Sequence, residues 1–250
     1  MTTTDIQGCV NQILTVGYCL LRGHFPVDAV EACRQAFNPI ADAYLAEHAE
    51  SPNRGPHRHY IPLPFRPPLY NPAFFNDDTI LAIASGILGE DLVLNNFASD
   101  TPFIGSVHQD IHTDLPLLYP EQPDLILPPH FLAVNWPFVD VTPERGPFQI
   151  AEGTHLLPKA KGLARTEAGE FPLKSLLMDV GDVMIRDPRC LHRGSPNLTS
   201  TPRVLAGIGL VRSWFYRPHT DRHPIARSFW ETLSEREHHL LQRLTIDEGQ

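Results

Sequence analysis

The chain has 250 residues, of which 42% are apolar and 25 are proline, and its formal net charge is −9. This length fits one large domain with a substantial core. The prolines argue against a bundle of long helices. Because no run of lysine or arginine is present, nucleic acid and anionic membrane surfaces are poor candidate partners.

The sequence gives no sign of export or membrane insertion. The first five residues lack a basic region and an apolar core, and no apolar run approaches the roughly 20 residues of a membrane helix. None of the four cysteines lies in a CxxC pair, so we interpret them as reduced thiols: Cys9, Cys19, Cys33 and Cys190. We expect a cytoplasmic protein, monomeric or homodimeric, that acts on a small molecule.

The N-terminal part predicts short elements around a long loop. Residues 16–22 predict a strand, and apolar spacing from Pro26 predicts a helix that Pro39 kinks or splits. Residues 51–72 are dense in Pro, Arg, His and aromatic residues, so we predict a loop without regular elements that lines a pocket. Residues 79–88 predict an amphipathic helix.

From residue 91 the pattern becomes β, with helical spacing again over residues 224–244. At least seven strands are predicted, over residues 91–98, 103–111, 130–141, 147–151, 173–180, 182–186 and 204–214. Short strands at this spacing favour a jelly roll or sandwich. We therefore predict one mainly β domain, with a helical N-terminal layer (about 1–90), a β core (about 91–215) and a C-terminal helix (about 224–244).

Metal-binding chemistry is indicated by His108 and Asp110, together with His192 far downstream. In a strand, residues i and i+2 project from the same face. Two imidazoles and one carboxylate form the facial triad that holds ferrous iron and leaves coordination positions open. A second pair, His112 and Asp114, would lie on the same face, and spacing does not choose between the two pairs.

Arg203 follows His192 by eleven residues. It is an ordinary surface arginine or a buried one, returned to the barrel interior by the turn between them. A buried arginine needs a partner, and a guanidinium can hold a carboxylate through two parallel hydrogen bonds. An acidic co-substrate such as 2-oxoglutarate would supply that carboxylate. Trp136, in mid-strand, reads as a core residue on sequence grounds alone.

Three segments, taken in order, resemble phytanoyl-CoA dioxygenases. Residues 107–112 (Val-His-Gln-Asp-Ile-His) resemble their iron-binding segment, and residues 144–155 resemble their NGP…PGSH segment. Residues 181–185, followed by His192, Gly194, Asn197 and Arg203, resemble their distal motif. The departures are Arg145 for the usual Asn and Glu152 for the usual Pro, both in turns.

The resemblance implies a double-stranded β-helix (a jelly roll or cupin-like barrel) that uses Fe(II), 2-oxoglutarate and O2. By position it selects His108, Asp110 and His192 as iron ligands and sets Arg203 on the distal carboxylate of 2-oxoglutarate. It also implies that three further residues lie near that co-substrate: Trp136, Gly194 and Asn96. Because related halogenases lack the carboxylate ligand, its presence favours hydroxylation.

The substrate expected from this resemblance is a small metabolite, in a biosynthetic or secondary pathway, oxidised with release of succinate and CO2. Its candidate polar contacts are Arg54, Arg58, His59, Arg66 and His112. Two alternatives remain: a non-catalytic jelly roll that binds a ligand, and a hydrolase or isomerase that uses another divalent metal at the same residues. The intact triad and Arg203 argue against both.

Overall fold

The structure is a computed structural model that describes residues 4–217 and 223–248. The helices of these residues are α1 (Ile6–Val16), α2 (Val27–His48), α3 (Pro72–Phe75), α4 (Asp78–Leu88), α5 (Lys159–Glu167), α6 (Arg227–Trp230) and α7 (Glu235–Leu240). The strands are β1 (Tyr18–Leu21), β2 (Arg58–Pro62), β3 (Val93–Pro102), β4 (Phe131–Pro137), β5 (Phe148–Ala151), β6 (Leu173–Leu176), β7 (Val183–Arg186), β8 (His192–Gly194), β9 (Leu205–Val211), β10 (Pro224–Ala226) and β11 (Thr245–Asp247).

The strands build a jelly roll, as predicted. A six-stranded sheet has the order β1-β7-β4-β9-β3-β2, a three-stranded sheet has the order β6-β5-β8, and β10 pairs with β11. Side chains from both larger sheets meet in one buried cluster that includes Phe148, Ile150, Met184 and Leu205. The two sheets therefore enclose a common interior, which is where a double-stranded β-helix carries its site.

Strand register decides which side chains enter that interior. Asn135 of β4 lies opposite Gly207 of β9, which lies opposite Ala98 of β3. Because side chains alternate between the faces of a sheet, the next residue, Trp136, projects from the other face. That outer face packs against the N-terminal helices in the main hydrophobic core.

The helix that begins after Pro26 continues through Pro39. It runs unbroken as α2 for 22 residues, so the split is wrong, and the alternative of a kink at Pro39 stays a prediction. An internal proline removes one backbone hydrogen bond. Val30, Phe37 and Ala41 are buried along the helix, and packing on both sides of Pro39 offsets that loss. The helix at residues 79–88 is confirmed as α4, with Asp77 as its N-cap.

Residues 51–72 contain a regular element after all. Strand β2 pairs antiparallel with β3, from Arg58 opposite Pro102 to Pro62 opposite Ala98. It is the last strand of its sheet, and an edge strand tolerates a proline that cannot donate to a ladder. The prediction of a loop without regular elements is wrong because a high proline content does not exclude a strand at the edge of a sheet.

The predicted strand at residues 103–111 is absent from the described residues. Ile104 and His112 make isolated bridges only, so both HxD pairs lie in irregular backbone. The long helix predicted over residues 224–244 is instead β10, α6 and α7, with α7 started by a capping box between Ser234 and Glu237.

Five further helices and strands were not predicted: α1, α3, α5, β8 and β11. All four cysteines, which lie within the described ranges, are free. No helix within those ranges is long and apolar enough to span a membrane.

Candidate metal centre and cavity

Three potential metal ligands meet at the inner face of the small sheet. One ligand atom from each of His112, Asp114 and His192 lies within 4.8 Å of the other two. Nε2 of His192 is 3.3 Å, and Nε2 of His112 is 3.8 Å, from Oδ1 of Asp114. Within residues 4–217 and 223–248, this is the one such group of three His, Cys, Asp or Glu residues.

Backbone contacts fix the two imidazoles. The backbone N–H groups of His112 and His192 each donate to the other residue's carbonyl at 2.9 Å. Nδ1 of His112 lies 2.7 Å from the carbonyl oxygen of Asp110, and Nδ1 of His192 lies 2.8 Å from that of Cys190. Since a carbonyl only accepts, each Nδ1 carries the proton and each Nε2 keeps its lone pair. Both lone pairs are thus available at the cluster.

Arg186 and Phe148 complete the surroundings of the cluster. Nη2 of Arg186 donates to Oδ2 of Asp114 at 2.7 Å, and its guanidinium lies 4.8 Å from the Phe148 ring centroid. Phe148 also stacks on His192, with 4.9 Å between ring centroids. These neighbours orient the carboxylate and cover one face of an imidazole.

Electrostatics keep the cluster in the protonation state that a metal requires. Burial opposes ionisation of Asp114, but the neighbouring His192 ring and the charge of Arg186 outweigh it and hold the pKa of that carboxyl well below its usual range. Burial, together with the neighbouring His192, lowers the pKa of His112. Metal binding needs an ionised carboxylate and neutral imidazole, so both shifts favour it.

The cluster opens onto a cavity of about 350 Å³. Its walls come from the inner face of the large sheet, the segment around His112 and the loop before β2. Polar lining residues are Arg54, Tyr60, Asn96, Asp100, Gln109, Asn135, Arg186, Arg217 and His223. Among the described residues, Nη1 of Arg186 has no hydrogen-bond partner. A buried N–H donor beside the cluster suits an anionic ligand.

The two HxD pairs lie in different places. His108 and Asp110 are exposed, and they do not join His192; His112 and Asp114 do. The reason is local pairing. The backbone N–H of Gln109 donates to the carbonyl of Gly194, and the side-chain Oε1 of Gln109 accepts from the N–H of Gly194. This pairing sets His112 opposite His192. Because residues 108–114 form no regular strand, the i, i+2 rule does not hold all four side chains on one face.

Arg203 is buried, as expected, but its partner is a protein carboxylate. It is 1% exposed, and its Nη2 donates to Oδ2 of Asp100 at 3.0 Å. Burial lowers the pKa of Arg203 to about 10, against the favourable charge of Asp100. The cavity is lined by Asp100 and not by Arg203.

The three residues expected near the co-substrate have different positions. Asn96 lines the cavity and donates to the Tyr60 hydroxyl at 2.9 Å. Trp136 is 0% exposed and stacks on Phe97 in the core, so it does not line the cavity. Gly194 lies under a guanidinium, since a Cβ there would come 2.2 Å from Nη1 of Arg58.

Most expected substrate contacts lie elsewhere. Arg58 and His59 are buried, Arg66 is exposed, and none of them lines the cavity. His112 lines it as part of the cluster, and Arg54 lines it from the loop before β2. The sequence reasoning missed Asp100 and Arg186. The alternation of β7 offered a signal for Arg186, because it lies two residues after the inward-facing Met184.

Residues 14–205 match the family model for phytanoyl-CoA dioxygenase (PhyH). The match covers most of the chain, so the chain belongs to the PhyH family. The protein is therefore an enzyme of the class that uses iron, 2-oxoglutarate and O2 as an oxygenase.

Solved structures with the same fold are distant in sequence. AviO1 from Streptomyces viridochromogenes Tue57 is 16% identical with a TM-score of 0.64, covering 87% of this chain and 99% of that one. HygX from Streptomyces hygroscopicus, solved with nickel, 2-oxoglutarate and hygromycin B, is 19% identical with a TM-score of 0.61, covering 89% and 91%. The 2-oxoglutarate-dependent epimerase SnoN from nogalamycin biosynthesis is 19% identical with a TM-score of 0.61, covering 83% and 81%.

Proposed function

We propose that His112, Asp114 and His192 hold Fe(II), and that the enzyme uses 2-oxoglutarate and O2 to hydroxylate a C–H bond of a small metabolite, releasing succinate and CO2. The observation that carries this proposal is the convergence of two imidazole Nε2 atoms and one carboxylate within 4.8 Å at the cavity. Membership of the PhyH family supports the same reaction class.

The donor set fits ferrous iron. Two histidines and one carboxylate on one side of a metal leave other positions open for a chelating co-substrate and for oxygen. Each histidine has its Nδ1 engaged by a backbone carbonyl, and Asp114 is oriented by Arg186. Such outer contacts typically fix the ring orientation and the basicity of metal ligands.

The cavity fits a dianionic co-substrate. Arg54, Arg186 and Arg217 line it, and the guanidiniums of Arg58 and Arg203 lie just behind Asp100. This concentration of arginines contrasts with the overall charge of −9. Guanidinium groups bind carboxylates with paired hydrogen bonds, so the cavity can hold a dicarboxylic acid.

In this proposal the chain itself binds, orients and shields. Arg186 keeps Asp114 ionised and aimed at the metal position, and Phe148 shields the His192 ring from water. Asn96 and Asn135 supply amide groups at the cavity wall. Bound iron with 2-oxoglutarate and O2 supplies the oxidation of an unactivated C–H bond, and the protein positions that bond.

Hydroxylation is preferred because the cluster keeps its carboxylate. Asp114 takes the position that a halogenase leaves open for halide, so we propose hydroxylation over halogenation.

A role in secondary metabolism is supported by HygX, solved with hygromycin B, and by SnoN, from nogalamycin biosynthesis. The enzyme is proposed to act as one domain, since β1 and β2 share a sheet with β9.

An anaerobic Fe(II) titration, with and without 2-oxoglutarate, tests the proposal. We expect a visible charge-transfer band that requires both additions. A ligand-binding jelly roll would give no band, and an enzyme that uses another divalent metal would bind metal without the response to 2-oxoglutarate. Succinate release against a panel of small metabolites then identifies the substrate class.

A further inference from the structure

Asp100 bridges two buried arginines at the cavity wall. Its Oδ2 accepts from Nη1 of Arg58 at 2.9 Å and from Nη2 of Arg203 at 3.0 Å. Arg203 also donates through Nε to the carbonyl of Gly146 and through Nη1 to the carbonyl of Asp100. Arg58 donates through Nη2 to the carbonyl of Ser195. One carboxylate thus serves two guanidiniums.

This arrangement leaves one positive charge uncompensated within the cluster of Arg58, Asp100 and Arg203. Both arginines are 1% exposed, and a buried unpaired charge is costly. Nε of Arg58 is buried with no hydrogen-bond partner in the described part of the chain. Two guanidiniums that share one carboxylate, with one N–H donor unused, bind an incoming carboxylate more favourably than a balanced ion pair does.

Asp100 lies between these arginines and the cavity. Its side chain is 28% exposed and lines the cavity, whereas the arginines do not. A carboxylate that approaches Arg58 and Arg203 from the cavity therefore meets Asp100 first. The incoming carboxylate would need the position that Oδ2 of Asp100 now occupies. The two carboxylates therefore compete for the same donors.

A second cation, Arg54, lines the same cavity as Asp100. Burial opposes ionisation of Asp100, but the charges of Arg58 and Arg203, and after them that of Arg54, lower its pKa. The Arg54 guanidinium lies over the ring of Tyr60, 4.7 Å from the centroid, and Tyr60 is the register partner of Asp100. Arg54 itself is exposed.

We propose that Asp100 is an exchangeable occupant of the Arg58–Arg203 pair: the far carboxylate of 2-oxoglutarate replaces it there, and Asp100 turns to Arg54. The inference rests on the proposed function, because it concerns that co-substrate. The Arg58–Arg203 pair holds one carboxylate in both states, and Asp100 has a guanidinium partner in each. Asp100 thereby sets the affinity for the co-substrate.

The test compares two acids on nickel-loaded protein by isothermal titration calorimetry. 2-Oxoglutarate has the far carboxylate, and 2-oxobutyrate has the same 2-oxo acid end without it. Asp100→Asn removes the competing charge, so it should tighten 2-oxoglutarate about tenfold and leave 2-oxobutyrate unchanged. Unchanged or weaker 2-oxoglutarate binding in this variant overturns the exchange.

A double-mutant cycle separates exchange from direct attraction by Arg54. Arg54→Gln should weaken 2-oxoglutarate several-fold in the natural background and have no effect in the Asp100→Asn background. An equal effect in both backgrounds means that Arg54 contacts the co-substrate directly, and it overturns the exchange. Because Arg54 is exposed, the single variant folds even if Asp100→Asn does not, and unchanged 2-oxoglutarate affinity in it is also contradictory.

The two proposals fail in different ways. If the nickel-loaded natural protein binds neither acid, the proposed function is wrong and the exchange falls with it. If the natural protein binds 2-oxoglutarate but Asp100→Asn does not tighten it, only the exchange is wrong.

Discussion

Oδ1 of Asp114 lies 3.3 Å from Nε2 of His192, and that contact joins an irregular segment to a three-residue strand. The same carboxylate receives Nη2 of Arg186 on its other oxygen at 2.7 Å. Asp114 therefore has one oxygen directed to the proposed metal position and one held by the protein. The Arg186 guanidinium both orients Asp114 and favours its ionised form.

Arg186 should matter for metal affinity. Arg186→Gln removes the charge that orients and ionises Asp114, and loss of such an outer contact typically weakens a metal site about 10- to 100-fold. We expect Co(II) affinity, measured by calorimetry, to fall within that range. Arg193→Gln is the control, because Arg193 adjoins His192 but donates to Gln149. Equal affinity in both variants would argue against the role of Arg186.

Trp136 should affect stability and leave co-substrate binding unchanged. Trp136→Phe removes volume from a packed aromatic cluster, so unfolding free energy should fall by about 1–2 kcal/mol. The affinity of metal-loaded protein for 2-oxoglutarate should stay within about twofold, a change smaller than one hydrogen bond is worth. Trp230→Phe, at a partly exposed position, should cost less. A large loss of 2-oxoglutarate affinity in Trp136→Phe would mean that Trp136 contributes to co-substrate binding.

Gly194 should resist even a methyl group. Gly194→Ala places Cβ 2.2 Å from Nη1 of the buried Arg58, and overpacking of this kind costs about 1–3 kcal/mol. Gly162→Ala is the matched control, since its Cβ meets nothing closer than 3.4 Å and it lies inside α5. Urea unfolding should show a loss for the first variant and none for the second. Equal stability would mean that Arg58 moves freely.

Glu237 should contribute stability that depends on pH. Its carboxylate accepts from the Ser234 hydroxyl at 2.6 Å, from the Ser234 backbone at 2.9 Å and from the Tyr70 hydroxyl at 2.7 Å. Burial opposes ionisation, but these hydrogen bonds prevail and lower the pKa of Glu237 from 4.5. Its contribution is therefore full above pH 4.5 and is lost as pH falls through the lowered pKa.

Glu237→Gln should lower unfolding free energy by about 1–3 kcal/mol at neutral pH, and the difference should shrink in acid. Denaturant melts across pH measure both effects. Glu235→Gln, on the exposed side of α7, should change little. A difference between Glu237→Gln and the natural protein that is constant down to pH 3 would contradict the assigned charge state.

Much of the fold follows from local pattern. Alternation in β4 and β9 gave their positions within a few residues, and the Gly-ended apolar run at residues 79–88 gave α4. Strand β2 could not be found in this way, because a proline such as Pro62 is tolerated at a sheet edge, and edge position is a property of the tertiary structure.

The candidate site was predictable only in part, because tertiary position is not encoded in a local pattern. The residue types, His192 and the buried state of Arg203 followed from spacing and resemblance. The choice between the two HxD pairs depended on Gln109, whose bonds to Gly194 set the register of an irregular segment. Asp100 as the partner of Arg203 depends on β3–β9 pairing, which no local motif encodes.

The most direct test of the account compares the two HxD pairs by anaerobic Fe(II) and 2-oxoglutarate titration, with folding checked by circular dichroism. His112→Ala and Asp114→Ala should lose the charge-transfer band and high-affinity Fe(II) binding. His108→Ala and Asp110→Ala, the matched controls, should keep both. Loss of the band in Asp110→Ala, together with a full band in folded Asp114→Ala, would contradict the assignment of His112, Asp114 and His192 as the iron site.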